Sequence, residues 1–134
     1  MGQLFRREAP FQELALDGSH RAATLALRHR VALRTVRCDL EQPDPPLPES
    51  HYDLIVCFRY LHRPLFGRIE RALKPGGHLV YETFRVGQER HGKPRRSQHL
   101  LRTGELVSAF PALEVLHHEE TDPPGGPVMA RLLA

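Results

Sequence analysis

Four stretches of the chain bring together side chains whose types and spacing could do chemistry. "FQELALD" (11–17) and "VALRTVRCDLE" (31–41) each lead an apolar run into a carboxylate, Asp17 followed by Gly18 and Asp39 followed by Leu40. "YDLIVCF" (52–58) runs straight into "RYLHRP". Open α/β sheets bind ligands in the crevice outside the carboxyl ends of their strands. Phe58 and Arg59 fall in such a crevice, and Arg59, Tyr60 and His62 are the substrate-side candidates. "RVGQERHGKPRRSQHLL" (85–101) is polar and basic; Arg85, Arg90, Lys93, Arg95 and Arg96, with Tyr81 and Glu82 before them, could shape a pocket. A plainer reading stands beside each. Asp17 could cap a helix, Asp39 could be a loop acid, Arg59 a surface arginine, Tyr60 a core tyrosine and His62 a helix N-cap. A basic run is commonly a solvated face. The nine histidines do not suggest a metal centre. Those of "HHEE" (117–120) alternate between faces of a strand-like segment, and His62, His91 and His99 lack ligand spacing.

The elements that must hold these residues follow from periodicity and breakers. After the run ending at Asp17, "GSHRAATLALRHR" (18–30) has Ser19 as a plausible N-cap and Ala22, Ala23, Ala26 and Leu27 at helical spacing. A short strand covers about 33–38, and "QPDPPLPES" (42–50), with four prolines, is a connecting loop. Residues 52–58 form a near-continuous apolar run, as a strand covered on both faces requires. In "RPLFGRIERAL" (63–73) Pro64 suits a first turn, and Leu65, Phe66, Ile69, Ala72 and Leu73 make one apolar face. "KPGG" stops that helix, and "HLVYETF" (78–84) is the next strand. A short helix over 103–110, capped by Thr103, and two strands within 113–120 and 127–134 complete the chain. Alternating strands and helices give an α/β protein with a mainly parallel sheet, helices on both faces and a C-terminal antiparallel pair.

Bulk properties narrow the class. A length of 134 residues favours one domain, residues 1–134. A net charge of +3 with 7% aromatic residues lacks the dense basic stripe and exposed aromatics of a nucleic-acid binder. There is no apolar run of membrane-spanning length and no secretion signal, so a cytoplasmic protein is expected. Cys38 and Cys57 each lie inside an apolar run, as reduced, packed cysteines do.

Four pieces in order, "LALDGSHRAATLAL", "LRTVRCDLE", "YDLIVCFRYLHRPLF" and "RALKPGGHLVYETF", resemble the class I S-adenosylmethionine-dependent methyltransferases. The likeness is to the small bacterial type related to tellurite-resistance methyltransferases, and it covers about residues 12 to 134. It implies a Rossmann-like fold, S-adenosylmethionine as cofactor and a small-molecule substrate. It also implies that Asp17, with Gly18, meets the cofactor's ribose, since a carboxylate can accept two charge-assisted hydrogen bonds from a cis-diol. Asp39 would accept from the adenine amino group, Leu40 would add a backbone contact, and Phe58 would flank the cofactor. Catalysis in such a family is mainly alignment of a nucleophile behind an activated methyl group, so no catalytic residue is assigned.

One piece of the resemblance is absent. The family's first strand runs into a glycine-rich turn, whereas "MGQLFRREAP" has one glycine and reads as the tail of a helix. The expectation is a domain incomplete at its N-terminus, with the central strand of its sheet missing. Unpaired backbone groups at that position would be costly. The chain would then bind the cofactor weakly by itself. The alternative is a non-catalytic remnant, its sheet completed by another chain or by a second copy.

Overall fold

The computed structural model describes residues 2–6, 12–16, 28, 33–36 and 39–134. Among them are seven strands: β1 (Gly2–Arg6), β2 (Gln12–Leu16), β3 (Leu33–Val36), β4 (Tyr52–Phe58), β5 (Leu73–Phe84), β6 (His117–Thr121) and β7 (Met129–Leu133). Helices α1 (Phe66–Ala72) and α2 (Glu105–Ser108) and three short 3-10 turns accompany them. The strands form one sheet in the order β3-β2-β1-β4-β5-β7-β6. β2 is parallel to β3 and β4 to β5, and β1 runs antiparallel to both of its neighbours. β7 opposes β5 and β6. Hence β2, β3, β4, β5 and β6 point one way while β1 and β7 point the other. The Rossmann-like sheet and its closing antiparallel pair agree with the expectation.

The N-terminal segment corrects one reading. Residues 2–6 are not the tail of a helix: Gly2–Arg6 is a strand, and it occupies the central slot between β2 and β4. Both flanking strands offer unpaired N–H and C=O groups there, and a buried slot of that kind strongly favours any chain able to satisfy them. Its direction follows from the link. Only residues 7–11 join β1 to β2, and a parallel connection needs about a dozen residues or more. The reversed strand is not the forward one that precedes a glycine-rich turn. It brings Gly2 opposite Leu16 and Cys57, at the carboxyl ends of β2 and β4.

β4 matches its sequence reading residue for residue, with Ile55, Val56 and Cys57 all buried. The Cys57 thiol is free, and burial pushes its pKa up to about 11. In β5, Leu79, Tyr81 and Thr83 are buried at a period of two, while Val80, Glu82 and Phe84 are half-buried on the other face. The strand begins earlier than the apolar run suggests. Leu73 already pairs with Tyr52, and the ladder resumes at His78 opposite Leu54. The intervening "KPGG" bulges outward. Gly76 takes φ +78°, and a Cβ on Gly77 would lie 2.9 Å from the Lys74 carbonyl oxygen and 3.0 Å from that of Tyr52. Two glycines are what this helix-to-strand junction needs.

A 3-10 turn, Arg63–Leu65, with Pro64 in its first turn, leads into α1. Ile69 and Ala72 of α1 are buried, and Phe66 meets Tyr81 and Phe110 edge-on at ring-centroid distances of 6.1 and 5.3 Å. The second helix is shorter than expected, four residues, and Thr103 does not cap it. Gly104 is the N-cap, in a left-handed conformation, and its N–H donates to Glu120 at 2.6 Å. The strand expected within 113–120 starts only at His117, and Val115 and Leu116 before it are exposed. Arg28 is helical and exposed, inside the helix predicted over 18–30. Asp17, Gly18, Ser19 and Cys38 lie outside the described residues. No helix among the described residues is long and apolar enough to cross a membrane.

Candidate functional site

The carboxyl ends of β4 and β5 lie side by side, Phe58 opposite Glu82. Beyond β4 the chain turns sharply at Arg59, whose φ of +52° is unusual for a residue with a side chain. That backbone is held from two sides. The Arg59 N–H donates to the Glu82 carbonyl at 2.7 Å, and the guanidinium carbon lies 5.9 Å from the centre of the Phe84 ring. One residue on, the Tyr60 carbonyl accepts the Tyr81 hydroxyl at 2.7 Å and the Cys57 thiol at 3.9 Å. Burial raises the Tyr81 pKa well above that of a free phenol. Both donors therefore stay protonated, serving to fix the turn rather than to act as bases.

Above this turn lies the segment 85–101, fastened at several points. The Arg85 and Val86 N–H groups donate to the Val128 and Leu101 carbonyls at 3.1 and 2.8 Å. The buried Gln88 side chain donates to the Lys93 carbonyl at 3.2 Å and accepts the Val128 N–H at 2.8 Å. Arg63 donates to the carbonyls of Gln98 and Leu100 at 3.2 and 2.9 Å. The basic run is thus an ordered roof rather than a loose lid.

Between turn and roof is a cleft of about 740 Å³, within the size range of small-molecule sites. Arg59, Tyr60 and Leu61 line it from the turn after β4, Thr83 and Phe84 from β5, and Lys93, Pro94, Arg95, Arg96 and His99 from the roof, with Glu41 at the side. Of the residues singled out from sequence, Arg59, Tyr60, Lys93, Arg95 and Arg96 meet here. His62 does not line the cleft. It occupies the N-cap position of the 3-10 turn, its carbonyl accepting the Leu65 N–H at 3.0 Å while its side chain makes no capping bond. Phe58 is 42% exposed and also outside the lining. Tyr81 is core, and Glu82 is bound to Arg131, which also reaches Glu119 at 3.3 Å. Arg90 pairs with Asp122 at 2.7 Å.

Asp39 is exposed and uses one carboxylate oxygen to accept the Glu41 N–H at 2.9 Å, closing a turn. Leu40 is half-buried against the core. This turn sets Glu41 at the cleft. Sequence reasoning passed over Glu41, Leu61, Thr83, Phe84, Pro94 and His99. The strand-end rule that singled out Phe58 and Arg59 would also have marked Thr83 and Phe84, which close β5. No group of three or more His, Cys, Asp or Glu residues among those described could hold a metal ion.

The model of a family described as a methyltransferase domain matches residues 3–81. No curated protein sequence matches the chain. Among solved structures, an S-adenosylmethionine-dependent methyltransferase from Mesorhizobium loti is similar with a TM-score of 0.68 at 19% identity, covering 90% of this chain and 78% of that one. The N-methyltransferase NodS from Bradyrhizobium japonicum WM9 gives 0.64 at 19%, covering 90% and 70%. TehB from Haemophilus influenzae gives 0.67 at 13%, covering 90% of this chain and 48% of its own. At these identities the likeness is one of fold.

Proposed function

The chain belongs to the class I methyltransferase family, and on that premise we propose that it directs a methyl group from S-adenosylmethionine to a small-molecule acceptor held in the cleft. The observation that carries this reading is the position of the cleft, at the carboxyl ends of two parallel strands in a sheet of this order, with a fixed roof above it. S-adenosylmethionine, when bound, supplies a methyl carbon whose bond to sulfur breaks as the acceptor's lone pair bonds to it, leaving a neutral thioether.

The residues present fit one side of that cofactor. Asp39 is exposed and keeps carboxylate lone pairs beyond the one used for Glu41, as acceptance from an adenine amino group would need. Leu40, and Asp17 with Gly18, would complete the adenosine side. The methionine side is different: "MGQLFRREAP" has no glycine-rich turn, and the reversed β1 places Gly2 beside Leu16 and Cys57. Weak cofactor binding by these 134 residues follows. The chain's own work is then to orient the acceptor, with Tyr60, Leu61 and Phe84 giving it apolar walls and Arg59 a fixed polar edge. Alignment of this kind lowers the barrier without a dedicated acid or base.

The reversed strand also favours a second reading. It satisfies the central slot without building a cofactor cradle, as a non-catalytic subunit would. In that case a partner chain or a second copy would supply what is missing. The two readings separate in one experiment. The chain is incubated with excess S-adenosylmethionine and a panel of thiols, amines, phenols and carboxylates, and S-adenosylhomocysteine is quantified. Thioether formation above the acceptor-free rate supports the enzyme. Binding of neither donor nor thioether product, even in excess, would overturn it in favour of the subunit.

A further inference from the structure

We infer that the acceptor bound in the cleft is an anionic small molecule, carrying a carboxylate or phosphate group on a compact apolar body. This deepens the methyltransferase reading and rests on it. The argument begins with charge pairing. Residues 39–134 contain twelve lysines and arginines, and seven of them hold a carboxylate within ion-pair distance. Of the five with no such partner among the described residues, four line the cleft: Arg59, Lys93, Arg95 and Arg96. Seven of the eight other cations in this stretch are ion-paired, whereas the four around this cavity share its lining with a single acid, Glu41. Like charges converging on a partly enclosed space repel, and an anion placed among them relieves that repulsion.

A solvated basic loop would give the same composition but not the same fixation. Here the Gln88 amide holds the Lys93 carbonyl, and Arg63 holds the carbonyls of Gln98 and Leu100, so the segment carrying Lys93, Arg95 and Arg96 is fastened on both sides. On the opposite wall Arg59 is fixed by its left-handed turn and by the Phe84 ring. A backbone fastened before a ligand arrives has little freedom left to lose on binding it. Tyr60, Leu61, Phe84 and Pro94 leave apolar wall between the two sets of charges, which calls for a ligand with an apolar body rather than a bare ion. A cavity of about 740 Å³ suits a molecule of that kind and not a nucleic-acid strand.

The test is calorimetric titration of the 134-residue chain with phenyl phosphate and benzoate, against benzyl alcohol as the neutral analogue. The anions should bind at least about tenfold more tightly than the alcohol. A double variant, Arg95→Ala with Arg96→Ala, should lose most of that preference, while Arg71→Ala, which removes a charge outside the cleft lining, should keep it. Both cleft residues are exposed, so the fold should tolerate their loss. Equal binding of anion and alcohol, or an unchanged preference in the double variant, would overturn the inference. So would displacement of phenyl phosphate by S-adenosylhomocysteine, which would assign these cations to the cofactor's carboxylate. Binding of an RNA oligonucleotide without binding of phenyl phosphate would overturn it in favour of a polyanion surface. Thioether formation is measured separately, so failure of the anion site and failure of the methyltransferase reading are distinguishable.

Discussion

Arg63 and Glu105, 42 positions apart, form a bidentate pair: two guanidinium nitrogens meet the two carboxylate oxygens, Nη2 at 3.0 Å. The same guanidinium supports the roof through Gln98 and Leu100, so one ion pair ties the start of the 3-10 turn before α1, the roof and α2 together. The Arg102 N–H adds a further bond to Glu105 at 2.7 Å.

The hydrogen bonds from Arg63 are the main cause of a Glu105 pKa lowered from 4.5 to about 2, and its side chain is only 13% exposed. Because the folded state holds this proton less readily than the unfolded one, the stabilisation is complete above pH 4.5 and is lost as pH falls through about 2. Glu105→Gln should cost about 1.5–3 kcal/mol at neutral pH, the range for hydrogen bonds to a charged group. Its acid-side stability profile should be flatter than that of the parent. Urea denaturation at several pH values checks this; parallel profiles would show that the pair contributes nothing through charge.

Leu4 sits at the middle of β1, opposite Leu14 on one side and Ile55 on the other. Proline there removes an N–H from a strand paired on both edges, where the residue is almost never accommodated. Leu4→Pro should destabilise the domain by about 3 kcal/mol or more, taking the cost of an interior proline as a guide. Chemical denaturation reads the loss. A variant as stable as the parent would mean that Gly2–Arg6 does not fill the central slot.

The "KPGG" junction makes a graded pair. Gly77→Ala would drive a methyl against two carbonyl oxygens at 2.9 and 3.0 Å, both backbone and unable to swing away. Gly76→Ala meets nothing within 4 Å and bears only the strain of φ +78°. Expected losses are about 1 kcal/mol for Gly76→Ala, from the left-handed backbone, and about 1–3 kcal/mol for Gly77→Ala, from overpacking. Thermal melts of the two variants decide it, and the reverse ranking would contradict this packing.

Much of the fold was legible because its signals are local. "YDLIVCF" is apolar throughout, and a strand buried on both faces has no other composition available. Pro64 and "KPGG" bracket α1 by excluding helix outside it. β1 was not legible, since "GQLFR" has too short an apolar run to declare a strand. What makes it one is the vacancy between β2 and β4, a property of the assembled sheet. The site divides in the same way. Arg59 and Tyr60 were readable from their place after β4, but Glu41 reaches the cleft through the turn that Asp39 closes, and His99 through a roof fastened by Gln88 and Arg63. Those are long-range consequences of single hydrogen bonds, invisible to spacing along the chain.

The assignment of one side of the crevice to cofactor and the other to acceptor makes a crossed prediction. Asp39→Asn keeps an oxygen to accept the Glu41 N–H and so preserves the turn, but it removes the negative charge offered to an adenine amino group. Donor affinity should fall by about 1 kcal/mol, roughly fivefold, toward the low end expected for an exposed charge-assisted bond. Arg59→Ala removes a cleft cation and its contact with Phe84 without touching that turn. It should leave S-adenosylhomocysteine affinity within about threefold, while weakening binding of phenyl phosphate and slowing thioether formation with any acceptor that the panel identifies. Titration with each ligand separates the two effects. If Asp39→Asn weakens the anion and Arg59→Ala weakens the thioether, cofactor and acceptor have been placed on the wrong sides of β4.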